Sequence, residues 1–313
     1  MTRREVGFAD IQRHWPPRTA SYNKYKEKSP SRNARSAKRV PSETASRRRV
    51  KPALDLPPPY RLVTLREVGD AFAHAKAIAA DEGAGTLVYV GRFDLAEFAV
   101  VLEPEEPLRT ARRALYAGLT ALADALASHA PPDKPVAFDW PAGVRVDGGL
   151  VGGARLGWPD DGAEDESPAW LVFGGMIRTV AMGEDEPGLR PLSSALDEEG
   201  FDELGSGRLV ESFARHLMVA IDAWQEKGFG AVARNYLLRM LPPGMSSGGA
   251  EDPGSGGKTV LFGAKKPGIH GEIAENGDLL IRRAGLAGQE RLSLIDALAA
   301  PPWLDASTGG PKT

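Results

Sequence analysis

Apolar and polar positions divide the chain into three regimes. Residues 1–52 are polar and nearly free of aliphatic periodicity, as in Asn23-Lys24-Tyr25-Lys26-Glu27-Lys28. Beyond Pro57-Pro58-Pro59 the pattern becomes globular. Leu65, Val68, Phe72, Ala75 and Ala79 stand at helical spacing and predict an opening amphipathic helix over 61–79 with Thr64 as its cap. Two β-like runs follow, 86–90 and 98–102, separated by Gly91-Arg92-Phe93-Asp94 and ended by Pro104 and Pro107. A helix is expected over 108–128, with Leu108, Ala111, Leu115, Leu119, Leu122 and Leu126 on one stripe. This β, β, α order departs from the alternation of a doubly wound nucleotide-binding sheet.

Three more strands are expected at 136–138, 144–146 and 150–156. An acidic loop over 160–166 separates them from the runs 170–173 and 176–180. Helices are predicted over 208–226 and 229–241, before Pro242-Pro243-Gly244. Residues 244–258 are rich in Gly and Ser and read as a flexible linker. The third regime, 259–306, holds short strands at 271–273 and 278–283 around the turn Glu275-Asn276-Gly277, then an apolar run over 292–298 and Trp303. The fold class is therefore α+β: a mixed sheet packed against helices, with a small β-rich C-terminal unit. Expected boundaries are a basic disordered extension (1–56), the main domain (57–243), the linker (244–258), the small domain (259–306) and a tail (307–313).

Charge sharpens the division. Residues 1–52 hold 15 Lys+Arg against 4 Asp+Glu, or +11; the rest has 24 against 38, or −14, which together give the formal −3. The basic segment buries too little apolar area to offset an ordering entropy of roughly 1–2 kcal/mol per residue, so disorder is expected. Three readings of it stay open: an unstructured extension, an electrostatic arm for nucleic acid or anionic lipid, or a start of translation near Val50 or Lys51. With no cysteine, thiol nucleophiles and thiolate metal sites are excluded. No run approaches the ~18 apolar residues of a membrane span and no apolar signal core opens the chain, so a cytoplasmic protein without a membrane partner is expected.

Several motifs dissolve on inspection. Gly257-Lys258-Thr259 lacks the glycine five residues earlier that a phosphate loop needs, because Asp252 stands there. Gly83-Ala84-Gly85 precedes a strand instead of following one. His74, His129, His216 and His270 have no partner histidine at i+3 or i+4, and the acidic loop lacks calcium-loop spacing, so no metal site is expected.

The stretch from Phe138 to Leu156 carries the most information. It reads as a strand, a Trp140-Pro141 corner, a short strand, a Gly-rich turn and a strand bearing Gly152-Gly153. Glycine inside a sheet marks a close approach of a ligand or of another backbone, and Gly174-Gly175 is a second such place. Gly153 and Arg155 share one face of an alternating strand, and Gly152 and Ala154 the other. A Gly-rich hairpin packed on a helix accounts for these glycines as well as a pocket does.

This stretch resembles the catalytic domain of the biotin-protein ligase, lipoate-protein ligase and lipoyl/octanoyl transferase superfamily, and is most similar to the branch described as the biotin/lipoate A/B protein ligase family. The family's signature is a Lys-Trp-Pro-Asn-Asp run, a short hairpin, then a lysine three residues before a glycine. Here Trp140-Pro141 and Gly153 fall at matching spacings, and the order of elements from about residue 60 to 300 follows the biotin ligases. The resemblance implies a class II ligase fold, ATP with Mg as cofactor, and biotin, lipoate or another acyl acid as ligand. It also implies acyl-adenylate formation and transfer to a lysine of a biotinyl/lipoyl carrier domain. The residues it marks for ligand binding are Gly91, Arg92, Trp140, Pro141, Gly152, Gly153, Arg155, Gly174 and Gly175.

Departures fall where the chemistry should be. Only Gly91-Arg92 remains of the family's basic Gly-Arg loop, Asp139 replaces the lysine before Trp140, Ala142-Gly143 replaces Asn-Asp, and the catalytic lysine position is Leu150. Losing one preorganised donor to a developing oxyanion costs ~3 kcal/mol, so losing several is severe. Arg145 and Arg155 are the candidate replacements, Arg155 as a bidentate partner for a ligand carboxylate, although a structural role suits each equally. The expectation is a binder of a small carboxylic acid or acyl group with a divergent active site. The alternative is a degenerate ligase acting as ligand sensor or carrier-protein partner, its C-terminal β unit the docking surface. Nucleic acid is the weakest partner, since a body at −14 repels phosphate.

Overall fold

The computed structural model describes residues 54–182, 193–241, 269–283 and 288–312. The basic segment up to residue 53 and the linker 244–258 lie outside the described residues.

The opening element is a strand, β1 (Arg61–Leu65), followed by helix α1 (Ala71–Glu82), and not the single helix predicted over 61–79. Leu65 aligned by chance with the helical stripe. Val63 and Leu65 are strand positions paired in parallel with β2 (Thr86–Val90), and Thr64 lies opposite Tyr89. The helix is capped by Asp70, whose side chain accepts from the Ala73 amide at 2.8 Å. Val68, expected on the buried stripe, is exposed. The true order is β, α, β, β, α.

Strand β3 (Leu95–Leu102) begins three residues earlier than expected, which brings Glu97 inside the sheet. The predicted 108–128 helix is broken into α2 (Leu108–Ala111) and α3 (Ala114–Ala127). At the joint, bonds tighten to i→i+3 spacing, Leu115 N–H to Arg112 O and Tyr116 N–H to Arg113 O. The joint is held from outside by the acidic loop: Arg112 donates twice to Glu164, at 2.6 and 2.5 Å, and Arg109 pairs with Asp165.

Strands β4 (Val136–Asp139), β5 (Gly143–Val146) and β6 (Gly149–Gly157) follow. The two runs expected at 170–173 and 176–180 are one continuous strand, β7 (Leu171–Arg178), with Gly174-Gly175 in its middle. Helices α4 (Ser206–Lys227) and α5 (Phe229–Arg239) turn at Gly228, whose φ of 75° suits glycine. The sheet order is β1-β2-β3-β7-β6-β5-β4, with only the β1–β2 pair parallel.

One face of this sheet packs on α3, α4 and α5. Phe213 meets Phe98 at 4.5 Å and Phe173 at 5.5 Å between ring centroids, and Phe173 lies directly on Gly118 of α3. On the other face Ala71, Ala75 and Ala79 of α1 cover Val88, Val90, Ala99, Val101 and Val172. The small residues let the helix sit close to the sheet. The C-terminal unit holds β8 (Ile269–Ile273), β9 (Leu279–Arg283) and β10 (Glu290–Leu292) in a three-stranded antiparallel sheet, then helix α6 (Leu294–Ala299). Ile273, Leu279, Ile281 and Leu294 join the apolar cluster of the main domain, and Tyr116 Oη donates to Gly277 O. The unit thus buries its apolar side on the larger body, as its few apolar residues require.

Candidate functional site

Alternation along β3, β7 and β6 decides which residues share the face opposite α3 and α4. Glu97 pairs with Met176, which pairs with Gly153; one step along, Ala99 pairs with Gly174 and Gly174 with Arg155. Glu97, Gly174, Gly153 and Arg155 therefore occupy one patch of one face. Phe72, from α1, lies on Gly174: a Cβ there would be 2.6 Å from the ring. The Arg155 guanidinium stacks on the outer side of the same ring, 4.4 Å from its centroid, and reaches Asp70 at 3.4 Å. That ion pair is long, and Asp70 is half exposed.

Glu97 is almost fully buried and accepts the Ala71 amide at 2.9 Å. Burial pushes its carboxyl above the usual range; the Ala71 N–H opposes this, Asp70 reinforces it, and Arg155 and Arg92 oppose it more weakly. Arg92, in the loop after β2, grips Asp94 with both ends of its fork at 3.1 and 2.6 Å, which lowers the Asp94 carboxyl and raises the guanidinium. Its backbone oxygen accepts from Ser206 Oγ, which ties the loop to the start of α4. Among the sequence-selected residues, Gly153, Arg155 and Gly174 thus share the sheet face that carries Glu97, and Arg92 lies within electrostatic reach of it.

The others go elsewhere. Gly175 points to the opposite face, where a Cβ would lie 2.4 Å from the Phe98 ring. Gly152, at φ 155°, backs onto the Met176 carbonyl. Gly91 precedes the Arg92 loop and donates to Leu65 O at 3.4 Å. The Trp140 indole donates to Tyr116 Oη at 3.2 Å, Tyr236 Oη donates to Pro141 O at 2.9 Å, and burial pushes both phenols up. The Trp-Pro corner belongs to the helix side of the molecule. Arg145, a candidate replacement cation, is committed to Asp139 at 2.7 Å and to Gly148 O at 2.8 Å.

Position 150 is a leucine in a small apolar cluster with Leu95, Met176 and Trp303. Trp303 comes from beyond α6 and lies flat on Gly153: a Cβ on that glycine would be 2.4 Å from the ring atoms Cδ2 and Cε2. The ring is 2% exposed and its Nε1 has no hydrogen-bond partner among the described residues. An unpaired buried donor of this kind costs about 1–3 kcal/mol.

Glu97, Asp70, Phe72 and Trp303 were not among the residues selected from sequence. Glu97 had a signal, being the single charge in an otherwise apolar strand of eight residues. Trp303 had none, since its partner lies 150 positions earlier. A separate groove of about 330 Å³ opens on the helix side between Leu102, Ala111, Leu171 and Trp224 and shares no residue with this patch. Among the described residues no group of three or more His, Asp or Glu is placed to hold a metal ion, and no helix is long and apolar enough to cross a membrane.

Comparison with known proteins places this arrangement. Among solved structures, a biotin protein ligase-like protein of unknown function from a Silicibacter species is 26% identical, with a TM-score of 0.60 over 78% of this chain and 98% of that one. The biotin protein ligase of Aquifex aeolicus is 17% identical, with a TM-score of 0.52 over 74% of this chain and 95% of its own. The same Aquifex protein in complex with biotin and ATP aligns with a TM-score of 0.50 at 17% identity, over 74% and 95% of the two chains. At these identities the Aquifex structures speak for the fold alone. No curated protein is similar enough in sequence to count as a match. The model of the biotin/lipoate A/B protein ligase family matches residues 56–238, more than half of the chain, and the chain therefore belongs to that family.

Proposed function

We propose that this chain binds a small carboxylic acid or acyl group on the Arg155 side of its sheet and does not activate it with ATP. The observation that carries the reading is Arg155: a guanidinium held over the Phe72 ring that covers Gly174, whose ion partner among the described residues is a half-exposed Asp70 at 3.4 Å. A ligand carboxylate would compete with Asp70 for the same fork and gain two parallel bonds in a poorly hydrated place. Its acyl part would run along β6 toward Gly153, since Phe72 fills the space over Gly174. Arg92 would contribute charge, already tempered by Asp94.

The residues present do not fit an adenylating centre. Transfer of an adenylyl group spreads negative charge over the phosphoryl oxygens, and family members meet it with lysines and a basic loop. In this chain Leu150 is buried among apolar side chains and Asp139 faces Arg145. The Asn-Asp positions are Ala142-Gly143, and Arg92 is paired. The Aquifex neighbour binds biotin and ATP; by this reading ATP and Mg are not ligands here, and no acyl group passes to a carrier-domain lysine.

ATP–pyrophosphate exchange tests this. Purified full-length protein is assayed with biotin, lipoate and octanoate, beside an active ligase. The reading expects background exchange with all three acids. Exchange above background with any of them would show that activation survives without the lysine.

A further inference from the structure

Residues 301–312 form a closed loop. Leu304 pairs with Pro311, Lys312 N–H donates to Trp303 O at 2.8 Å, Asp305 N–H to Gly310 O at 2.9 Å and Gly309 N–H to Asp305 O at 2.8 Å. Polar and apolar contacts tie it to the sheet. Arg178 donates to Pro311 O at 3.1 Å and Lys312 O at 2.9 Å, and the Trp303 ring rests on Gly153. A core tryptophan ordinarily finds an acceptor for its N–H; this one finds none among the described residues. The loop is therefore satisfied within itself, while its anchor is well packed but imperfectly satisfied.

Gly153 and Arg155 are two residues apart on one face of β6, a spacing of about 7 Å. The ring thus covers the floor that an acyl tail would reach from a carboxylate at Arg155. We propose that Trp303 is a displaceable plug of the acid site, and that the ligand is an acid whose apolar tail is long enough to span from Arg155 to Gly153. The proposal rests on the acid-binding reading and adds how that site is controlled. A carboxylate without a tail meets Arg155 and leaves the plug in place. A tail of five or more carbons, roughly the ~7 Å spacing, must evict the ring, so its apparent affinity is reduced by the fraction of molecules in which the loop is open. Glycine at 153 gives the ring its seat, and Leu150 in place of a cation gives it an apolar neighbour.

Calorimetric titration with octanoate and acetate, on the full chain and on Trp303→Ala, tests the proposal together with hydrogen exchange of the 301–312 amides. Octanoate is expected to bind Trp303→Ala at least tenfold more tightly than the parent chain, and acetate to bind both equally. Saturating octanoate should speed exchange at Leu304, Asp305, Gly309 and Lys312 by tenfold or more. Arg178→Ala, which cuts the polar tether, should act in the same direction if the alanine variant at 303 does not fold. Equal octanoate affinities with unchanged protection would overturn the plug and leave acid binding standing. If neither protein binds octanoate, the acid-binding reading falls and the plug is judged on ligand-free protein. Exchange of 301–312 as slow as that of β7 would overturn it; exchange at least a hundredfold faster would sustain a loop that opens without the sheet.

Discussion

Glu97 is a carboxylate where an apolar side chain would serve the sheet better, and its ionisation is opposed by burial. Its pKa is raised in the folded state, so the stability it gives is fully present below its ordinary value of 4.5 and is lost as pH rises through the folded value. Glu97→Gln keeps an acceptor for the Ala71 amide and removes the charge. It should therefore be more stable than the parent chain at pH 8, by about 1 kcal/mol, with the difference closing by pH 4; urea unfolding at the two pH values measures this. A variant less stable at pH 8 would mean that the ionised carboxylate is a net stabiliser, paired more closely with Arg155 than the geometry indicates. At this scale the sequence is legible where a single letter decides, as at Leu150, Asp139 and Ala142-Gly143. It is illegible where direction decides. Gly174-Gly175 give one residue to the Arg155 patch and one to the core beside Phe98, whereas Gly153 joins the patch and Gly152 backs onto the neighbouring strand at the Met176 carbonyl.

Elements were legible where one pattern ruled and not where two overlapped. Helices α4 and α5 and strand β2 stand within two residues of expectation because their periodicity is uninterrupted. The stretch 61–79 hid a strand and a helix because Leu65 fits both periods. The expected second run starts at 98 and the strand at Leu95, because Glu97 interrupts the apolar run between them. The break in the 108–128 helix depends on Glu164, which no local pattern places there. Removing that carboxylate should loosen the joint. Hydrogen bonding to Arg112 lowers the Glu164 pKa, so its stabilisation is present above the ordinary 4.5 and is lost as pH falls. Glu164→Gln should cost about 1 kcal/mol at pH 7, screening included, and progressively less as pH falls below 4.5; a loss that does not change with pH would assign the effect to packing. On α3, alanine at Gly118 would gain ~1 kcal/mol of helix propensity, but its Cβ would lie 2.2 Å from the Phe173 ring. A net loss of about 2 kcal/mol is expected by urea unfolding. Unchanged stability would mean that the three-phenylalanine core has room to shift.

For the molecule as a whole, the family match and the sheet give its kinship, and the altered positions are the ground for proposing that it binds an acid without adenylating it. The body at −14 keeps its described arginines largely engaged, in pairs such as Arg92–Asp94, Arg112–Glu164 and Arg145–Asp139. That arrangement suits a neutral or singly charged ligand better than a triphosphate. The C-terminal unit, expected as a small β-rich appendage with too little for a large core of its own, shares the main core and returns Trp303 to the sheet, a long-range closure that no local pattern encodes. Acid binding at Arg155 is the claim on which the rest depends, and calorimetric titration of octanoate into the parent chain and Arg155→Ala tests it most directly. The account predicts a single site per chain, weakened by ten- to a hundredfold in the variant, as loss of a charge-assisted bond worth about 1.5–3 kcal/mol requires. Equal affinities in the two proteins, or no binding by the parent chain, would contradict it.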